Sequence, residues 1–259
     1  MSSKISYEIN DKGVAVLTIN NPPMNALDDI TILELESAFR ELQVDKKVKV
    51  VVVTGEGPTF IVGADIKKVQ EVRTREEGER VTRKGQEIFG LIENLRKPVI
   101  AAINGACLGG GTELALACHI RIAGDQVQMG LPEILLGIMP GFGGTQRSTR
   151  LLGTSRALEI MLTGKFIDMK EAERIGLVNR VVTQDRVLGE ALDMAKNLSY
   201  KSPLALAAIL EAVIDGIKMP LREGLELESR CFGSLVETED MKEGIAAFLE
   251  KRRPQFKGK

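Results

Sequence analysis

Two glutamates in apolar surroundings are the residues of this sequence best suited to chemistry. Glu113 follows three successive glycines (109–111) that come shortly after an apolar stretch. Glu133 stands alone in the apolar segment 131–136. A carboxyl group in apolar surroundings tends to keep its proton, and a nearby second carboxylate strengthens that tendency. Two coupled glutamates can share one proton, so that one acts as an acid while the other acts as a base.

The glycine run adds backbone N–H groups to this inventory. Glycine leaves the main chain open to the close approach of a ligand. The first N–H groups of a helix have no partner within the helix and carry the positive end of its dipole. Such a place can stabilise an oxyanion that develops during a reaction. The same residues also fit a tight turn in which Glu113 satisfies the helix dipole and Glu133 is a solvated loop residue, and spacing alone does not show that the carboxylates meet.

Other kinds of catalytic centre find little support. His119 is the single histidine, and the three cysteines, Cys107, Cys118 and Cys231, lack metal-ligand spacing, so we expect no metal site. His119 lies between an apolar helix and an apolar strand, where a structural role is more common than a place in a catalytic triad. The glycine loops match neither the G-x-G-x-x-G nor the G-x-x-x-x-G-K-[ST] fingerprint. We therefore expect neither a nucleotide nor a redox cofactor.

Composition places the chain among ordinary globular proteins. It has 259 residues, 44 % of them hydrophobic, with 35 Lys+Arg against 36 Asp+Glu. This balance favours neither nucleic acid nor an anionic membrane as a partner. The first residues lack the features of a targeting peptide, and no apolar run is long enough to cross a bilayer. The scattered, odd-numbered cysteines argue against disulfides, so we expect a cytoplasmic protein.

The pattern of apolar residues divides the chain into two parts. The first half alternates predicted strands with predicted helices, which indicates crossover units on parallel strands. The predicted strands are 14–19, 48–54, 98–103 and 119–123, and the helices between them are 28–42, 75–94 and 112–118. From Gly143 onward the pattern predicts helices almost throughout, namely 145–152, 155–162, 169–175, 184–198, 203–217, 220–236 and 240–252. These helices carry more apolar faces than a short chain can bury alone, which predicts contacts in an oligomer.

Several motifs in a fixed order resemble the crotonase (enoyl-CoA hydratase/isomerase) family over nearly the whole chain. They are the segments 21–27, 63–66, 104–113, 132–137, 140–147 and 247–252. The resemblance implies an α/β fold built as a spiral of ββα turns, rather than the doubly wound sheet that alternation alone suggests. It also implies a spiral core over 1–195, a C-terminal helical trimerisation region over 196–259 that covers the CoA site, and trimers that commonly pair into hexamers.

The resemblance also assigns roles to individual residues. Glu113 and Glu133 match the catalytic glutamates, and the N–H groups of Ala64 and Gly110 match the oxyanion hole for the thioester oxygen. The N–H of Gly141 matches the group that positions the catalytic water. The implied substrate and CoA contacts are Ala26, Leu27, Gly63, Asp65, Ile66, Gly109, Pro132, Phe248 and Lys251. Segment 73–83 is expected to be a solvated helix at the rim of the acyl pocket.

The function implied by the resemblance is that of an enoyl-CoA hydratase. Such an enzyme adds water in syn fashion to a trans-2-enoyl-CoA, and fatty-acid oxidation is one of the pathways that use it. Coenzyme A is part of the acyl-CoA substrate, so no separate cofactor is expected. One alternative is a Δ3,Δ2-enoyl-CoA isomerase, which can work with a single carboxylate. Another is a non-enzymatic CoA-binding or RNA-binding module of the same fold, but the glutamate pair and the balanced charge favour hydration.

Overall fold

The computed structural model describes residues 3–259, which form two sheets surrounded by helices. The strands are β1 (Ile5–Ile9), β2 (Val14–Ile19), β3 (Val50–Gly55), β4 (Thr59–Val62), β5 (Val99–Ile103), β6 (Ala106–Leu108), β7 (Ile120–Gly124), β8 (Gln128–Gly130), β9 (Ile167–Asp168) and β10 (Arg180–Val182). The helices are α1 (Asp29–Val44), α2 (Ile66–Glu71), α3 (Arg75–Glu93), α4 (Gly110–Ala117), α5 (Gly144–Leu152), α6 (Thr154–Thr163), α7 (Met169–Arg174), α8 (Val187–Ser199), α9 (Pro203–Gly216), α10 (Leu221–Gly233) and α11 (Glu239–Leu249). Two short 3-10 helices span Pro132–Leu136 and Gln184–Arg186.

The apolar runs predicted as buried strands form the larger sheet, in the order β1-β2-β3-β5-β7-β10. Only β1 runs antiparallel to its neighbour, and the other pairs are parallel. Every residue of β3 and of β5 is buried. Parallel strands covered on both faces need such continuous apolar sequences, because neither face meets water. Strand β1 instead has its first residue buried and the others more accessible, as an edge strand allows.

The smaller sheet reveals the repeating unit of the fold. Its order is β4-β6-β8-β9, and β4, β6 and β8 are parallel. Each of these three strands follows directly after a strand of the larger sheet, and a helical segment comes after it. The chain therefore makes three successive ββα turns, which confirms the expected spiral. The doubly wound sheet suggested by alternation is wrong, because the second strand of each turn has only three or four residues and leaves no periodic pattern in the sequence.

The core fills the space between the sheets and the helices. Phe39 of α1, Phe60 of β4 and Phe89 of α3 are fully buried there. On the other face of the larger sheet, α8 packs with Val187 and Ala191 against β3, β5 and β7. The predicted boundary between the spiral core (1–195) and the C-terminal helical region (196–259) falls within α8. This domain division remains a prediction.

The second half of the chain is not as helical as predicted. Strand β9 pairs with β8, and β10 pairs with β7 to complete the larger sheet. The expectation of helices almost throughout was wrong at these two strands, because two or three residues cannot show a strand period. In addition, the last helix ends at Leu249 rather than at residue 252.

The C-terminal helices leave apolar surface uncovered. Helices α9 and α10 pack against each other, yet none of the residues of α9 is buried. Ile209, Val213 and Ile217 are 60 %, 58 % and 69 % exposed. No helix within residues 3–259 combines the length and the apolar composition that a bilayer crossing requires.

Candidate active site

The start of helix α4 is fixed between two strands of the smaller sheet. Gly109 takes a φ of +53°, a left-handed conformation that glycine adopts without steric cost, and the chain there turns from β6 into α4. The hydroxyl oxygen of Thr112 lies within hydrogen-bond distance of the carbonyl oxygens of Cys107 (2.7 Å) and Gly130 (2.9 Å), and its single proton is donated to one of them at a time. The first turn of α4 is therefore tied to β6 and to β8.

Glu113 lies in this first turn and is only 2 % exposed. Its Oε1 accepts hydrogen bonds from the N–H of Phe142 (2.8 Å) and the N–H of Gly144 (2.7 Å). Gly144 is the first residue of α5, so the carboxyl group meets the positive end of that helix. Both of these bonds use the same oxygen, so neither occupies Oε2.

Glu133 lies beside the same glycine run and has a different environment. It is the second residue of the 3-10 helix Pro132–Leu136 and is half-buried. Its Oε1 lies 3.0 Å from the point that a Cβ atom on Gly109 would occupy, so a side chain there would crowd the carboxyl group. Its Oε2 is buried and has no hydrogen-bond partner among residues 3–259.

These environments separate the two carboxyl groups chemically. Burial, together with a smaller effect of the negative charge of Glu113, raises the pKa of Glu133 to about 7. Burial also raises the pKa of Glu113, but the two N–H donors and the positive charge of Arg147 oppose that effect. Hydrogen bonds from N–H groups favour the ionised form of a carboxyl group. We therefore assign the negative charge to Glu113 and the shared proton to Glu133.

Two backbone N–H groups, those of Ala64 and Gly110, belong to residues that lie next to each other in space. Leu27 and Ala64 form a parallel bridge in which the N–H of Leu27 donates to Gly63 and the N–H of Asp65 donates to Leu27. The N–H of Ala64 therefore takes no part in the hydrogen bonds of this bridge. Ala64 N lies 3.6 Å from the point that a Cβ atom on Gly110 would occupy. Within the part of the chain that the structure describes, neither the N–H of Ala64 nor that of Gly110 has an acceptor.

The structure thus brings together most of the site residues predicted from the sequence. They are Leu27, Gly63, Ala64, Asp65, Gly109, Gly110, Glu113, Pro132 and Glu133. Ala26 precedes Leu27, and its carbonyl oxygen accepts a hydrogen bond from Asn21 (2.6 Å). Ile66 begins α2 and is 54 % exposed.

The remaining predicted residues lie on the loop before α5 and in the tail. The carbonyl oxygen of Gly141 accepts a hydrogen bond from Gln86 of α3 (2.8 Å), while its N–H has no acceptor among the described residues. Residues 75–83 of the predicted rim segment 73–83 form the first part of helix α3. Phe248 is 83 % exposed at the end of α11, and Lys251 is exposed just beyond it, so their contacts with CoA remain predictions.

Sequence reasoning missed the two donors to Glu113, the N–H groups of Phe142 and Gly144. A signal for them was present, because Gly143 and Gly144 immediately precede the predicted helix 145–152. The reasoning applied to the glycines at 109–111 therefore applies equally to this pair.

His119 has the structural role expected of it. Its Nδ1 accepts a hydrogen bond from the N–H of Val99 (2.9 Å), so Nε2 carries the proton and donates it to the carbonyl oxygen of Glu93 (3.0 Å). Burial lowers the pKa of His119, which keeps the ring neutral. The histidine therefore joins the end of α3 to the start of β5.

We predict that the carboxyl group of Glu133 titrates near pH 7, because burial and the charge of Glu113 both disfavour its ionised form. Below that pH it holds a proton, and above that pH it loses the proton. Carbon-13 NMR of protein labelled at the glutamate carboxyl carbons measures the titration, and a Glu133→Gln variant identifies the resonance. A Glu133 signal that titrates near the ordinary glutamate value of about 4.3 would contradict the assignment of the proton.

Comparison with known proteins identifies the family of the chain. Residues 9–259 match the model of a family described as enoyl-CoA hydratase/isomerase. A Bacillus subtilis (strain 168) protein named "Probable enoyl-CoA hydratase" is 46 % identical over 249 residues, which cover 96 % of each chain. A Syntrophomonas wolfei protein named "Crotonyl-CoA hydratase" is 42 % identical over 248 residues, which cover 95 % of each chain.

Solved structures show the same fold. The crystal structure of an enoyl-CoA hydratase from Bacillus anthracis superposes with a TM-score of 0.95 at 36 % identity, covering 99 % of this chain and 100 % of that chain. An enoyl-CoA hydratase structure from Geobacillus kaustophilus HTA426 gives a TM-score of 0.96 at 34 % identity, covering 100 % of this chain and 98 % of that chain. With a family match over residues 9–259 and relatives above 40 % identity along nearly its full length, the chain belongs to the enoyl-CoA hydratase/isomerase family, also called the crotonase family.

Proposed function

We propose that this protein is an enoyl-CoA hydratase, which adds water to a trans-2-enoyl-CoA to give a 3-hydroxyacyl-CoA. The observation that carries the proposal is the placement of two glutamates, whose charges interact, beside two N–H groups that have no acceptor within residues 3–259. The names of the relatives, which include a crotonyl-CoA hydratase, support the same reaction.

The N–H groups of Ala64 and Gly110 supply the first requirement of this reaction. A carbon–carbon double bond conjugated to a thioester accepts a nucleophile only if negative charge can move onto the thioester oxygen. Two donors fixed in advance stabilise that charge, and each is worth roughly 3 kcal/mol by comparison with other oxyanion holes. Gly110 suits this role because it begins α4, where the helix dipole adds to the field of its N–H.

The two glutamates supply the proton transfers. Glu113, which we assign as the carboxylate, takes a proton from water while the water oxygen bonds to C3. Glu133, which holds a proton below about pH 7, delivers it to C2. Water is thereby divided between the two carbons, and the glutamates exchange roles when the 3-hydroxyacyl-CoA is dehydrated. The N–H of Gly141, on the loop that leads to the donors of Glu113, is our candidate for positioning the water.

The CoA part of the substrate supplies binding energy away from the reacting carbons. We assign its contacts to the segment around Leu27, to Asp65 and Ile66, and to the tail residues Phe248 and Lys251. No separate cofactor enters the proposed reaction. Because Phe248 is largely exposed in the single chain, we assign the site that the tail contacts to a neighbouring subunit.

The test is incubation of the protein with crotonyl-CoA while the absorbance of the conjugated thioester is followed. We expect the absorbance to fall, and we expect Glu133→Gln to lower kcat by roughly 100-fold or more with a smaller effect on KM, because general acid catalysis contributes about that much. Glu8→Gln, which changes an exposed glutamate of β1, is the matched control and should retain activity.

Three results would contradict this assignment. They are a wild-type protein that leaves crotonyl-CoA unchanged, a Glu133→Gln variant with normal turnover, and a protein that converts only a 3-enoyl-CoA to the conjugated isomer. The last result would identify the isomerase alternative, because an isomerase moves one proton between carbons and adds no water.

We also propose that the protein assembles as a trimer or as a pair of trimers. The exposed apolar residues of the C-terminal helices support this assembly, since their burial between subunits would remove apolar surface from water. Phe232 of α10 and Leu249 of α11 are 65 % and 74 % exposed, in addition to the face of α9.

Sedimentation equilibrium measures the assembly directly. We expect a mass of three or six times the 28.3 kDa of one chain, with no dependence on concentration in the micromolar range. Burial of the apolar helix faces is the reason, because that burial lowers the free energy of association. A species of 28.3 kDa at all concentrations would contradict the proposal.

A further inference from the structure

The guanidinium group of Arg147 lies behind the proposed site and has no part in the reaction as described above. Its Nη1 donates a hydrogen bond to the carbonyl oxygen of Phe142 (3.0 Å), and its Nη2 forms an ion pair with Glu93 Oε2 at the end of α3 (2.9 Å). The side chain of Arg147 is 13 % exposed. An ion pair so shielded from water resists screening and is costly to break from one side.

Arg147 is connected to Glu113 through the backbone of a single residue. The N–H of Phe142 donates to Glu113, and the carbonyl oxygen of the same residue accepts from Arg147. Movement of the guanidinium therefore changes the orientation of a loop that binds the carboxylate.

Helix α3 supports the other side of this loop. Gly85, Phe89 and Glu93 are spaced four residues apart and so lie along one face of α3. The ring of Phe142 packs edge-to-face on Phe89, with centroids 5.6 Å apart. A Cβ atom on Gly85 would lie 2.3 Å from the Phe142 ring, so glycine is needed there for the ring to fit. The three residues of α3 thus provide space, an aromatic contact and a carboxylate for one loop.

The loop is also shaped around the guanidinium group itself. Gly143 takes a φ of +112°, and a Cβ atom at this position would lie 2.2 Å from Nη1 of Arg147. A side chain at Gly143 would therefore displace the guanidinium group or distort the loop.

The charges around Glu113 come from two neighbouring segments. Arg147 faces it from α5 and lowers its pKa, against the effect of burial, while Glu133 faces it from the 3-10 helix. Arg147 in turn pairs with Glu93, which lies on α3. His119, which is hydrogen-bonded to the backbone carbonyl oxygen of Glu93, is neutral and adds no charge. The effect of Arg147 on Glu113 therefore depends on how far Glu93 balances it.

We propose that Arg147 is a positioning residue for Glu113 and that Glu93 is its counter-ion. The pair holds the loop 142–144 in place so that its N–H groups donate hydrogen bonds to the carboxylate of Glu113. The net charge of the pair also sets how readily Glu113 ionises. The inference rests on the proposed hydratase function for its kinetic consequences, but the ionisation of Glu113 can be measured without turnover.

The experiment compares Arg147→Met, Arg147→Lys and Glu93→Gln with the wild-type protein. The control is Arg150→Met, which changes an exposed arginine on the same helix whose hydrogen bonds go to Gln146. For each variant, kcat and KM for crotonyl-CoA hydration are measured. The dependence of kcat/KM on pH is measured as well, and its low-pH side, the acid limb, reports the ionisation of Glu113. Carbon-13 NMR follows the carboxyl group of Glu113 in the same proteins, and a Glu113→Gln variant identifies its resonance.

Each variant has its own expected signature. Arg147→Met should lower kcat by roughly 100-fold with little change in KM, since misplacement of a catalytic group costs about that much. Its acid limb should move to higher pH, because Glu113 loses a nearby positive charge. Arg147→Lys should keep the acid limb in place but still lower kcat, because one ammonium group cannot make both contacts of the planar guanidinium. Glu93→Gln should move the acid limb to lower pH, because the charge of Arg147 is then unbalanced.

Opposite shifts of the acid limb in Arg147→Met and Glu93→Gln would not follow from a merely structural role. Normal kcat and an unmoved acid limb in Arg147→Met, or shifts in the same direction for the two variants, would overturn the proposal. If Arg147→Met does not fold, Arg147→Lys and Glu93→Gln decide the matter, because each retains most of the side-chain volume. A wild-type protein without hydratase activity would refute the proposed function, whereas the NMR titration of Glu113 would still test Arg147.

Discussion

The hydrogen bonds from Phe142 and Gly144 to Oε1 of Glu113 are the interaction on which the rest of the site depends. A carboxylate that is 2 % exposed is strongly unfavourable unless its charge is satisfied by donors. Here the donors are the backbone N–H groups of Phe142, on the loop before α5, and of Gly144, the first residue of α5, so they need no side chain and cannot rotate away. The turn into α4 and the packing of α3 against the loop both serve to keep this contact in place.

The same interaction explains how two similar side chains can do different work. Glu113 is almost fully buried and Glu133 is half-buried, but Oε1 of Glu113 accepts two backbone N–H bonds, whereas Oε2 of Glu133 has no partner within residues 3–259. Donors favour the ionised form and their absence favours the protonated form. In the proposed mechanism this difference in hydrogen bonding separates the base from the acid, and no metal ion or histidine enters the proton transfers. The pair Arg147 and Glu93 adds a finer control over the same balance.

Much of this arrangement could be predicted from the sequence, and the missing parts share a physical cause. Glu113, Glu133 and the glycines at 109–111 were identified because their residue types are informative over a short stretch. Strands β4, β6 and β8 were missed because three or four residues show no period. The contact between Phe142 and Glu113 spans 29 residues and that between Arg147 and Glu93 spans 54, so only the folded chain reveals them.

A crystal structure of the protein with butanoyl-CoA, the saturated and unreactive analogue of crotonyl-CoA, tests the central claim most directly. We expect the thioester oxygen to lie about 3 Å from both Ala64 N and Gly110 N, a normal hydrogen-bond distance. The carboxyl group of Glu133 should face C2, and that of Glu113 should face a water molecule next to C3 while Oε1 keeps its bonds to Phe142 and Gly144. A thioester oxygen bound elsewhere, or a Glu113 carboxyl group turned away from the acyl chain, would contradict the proposed site.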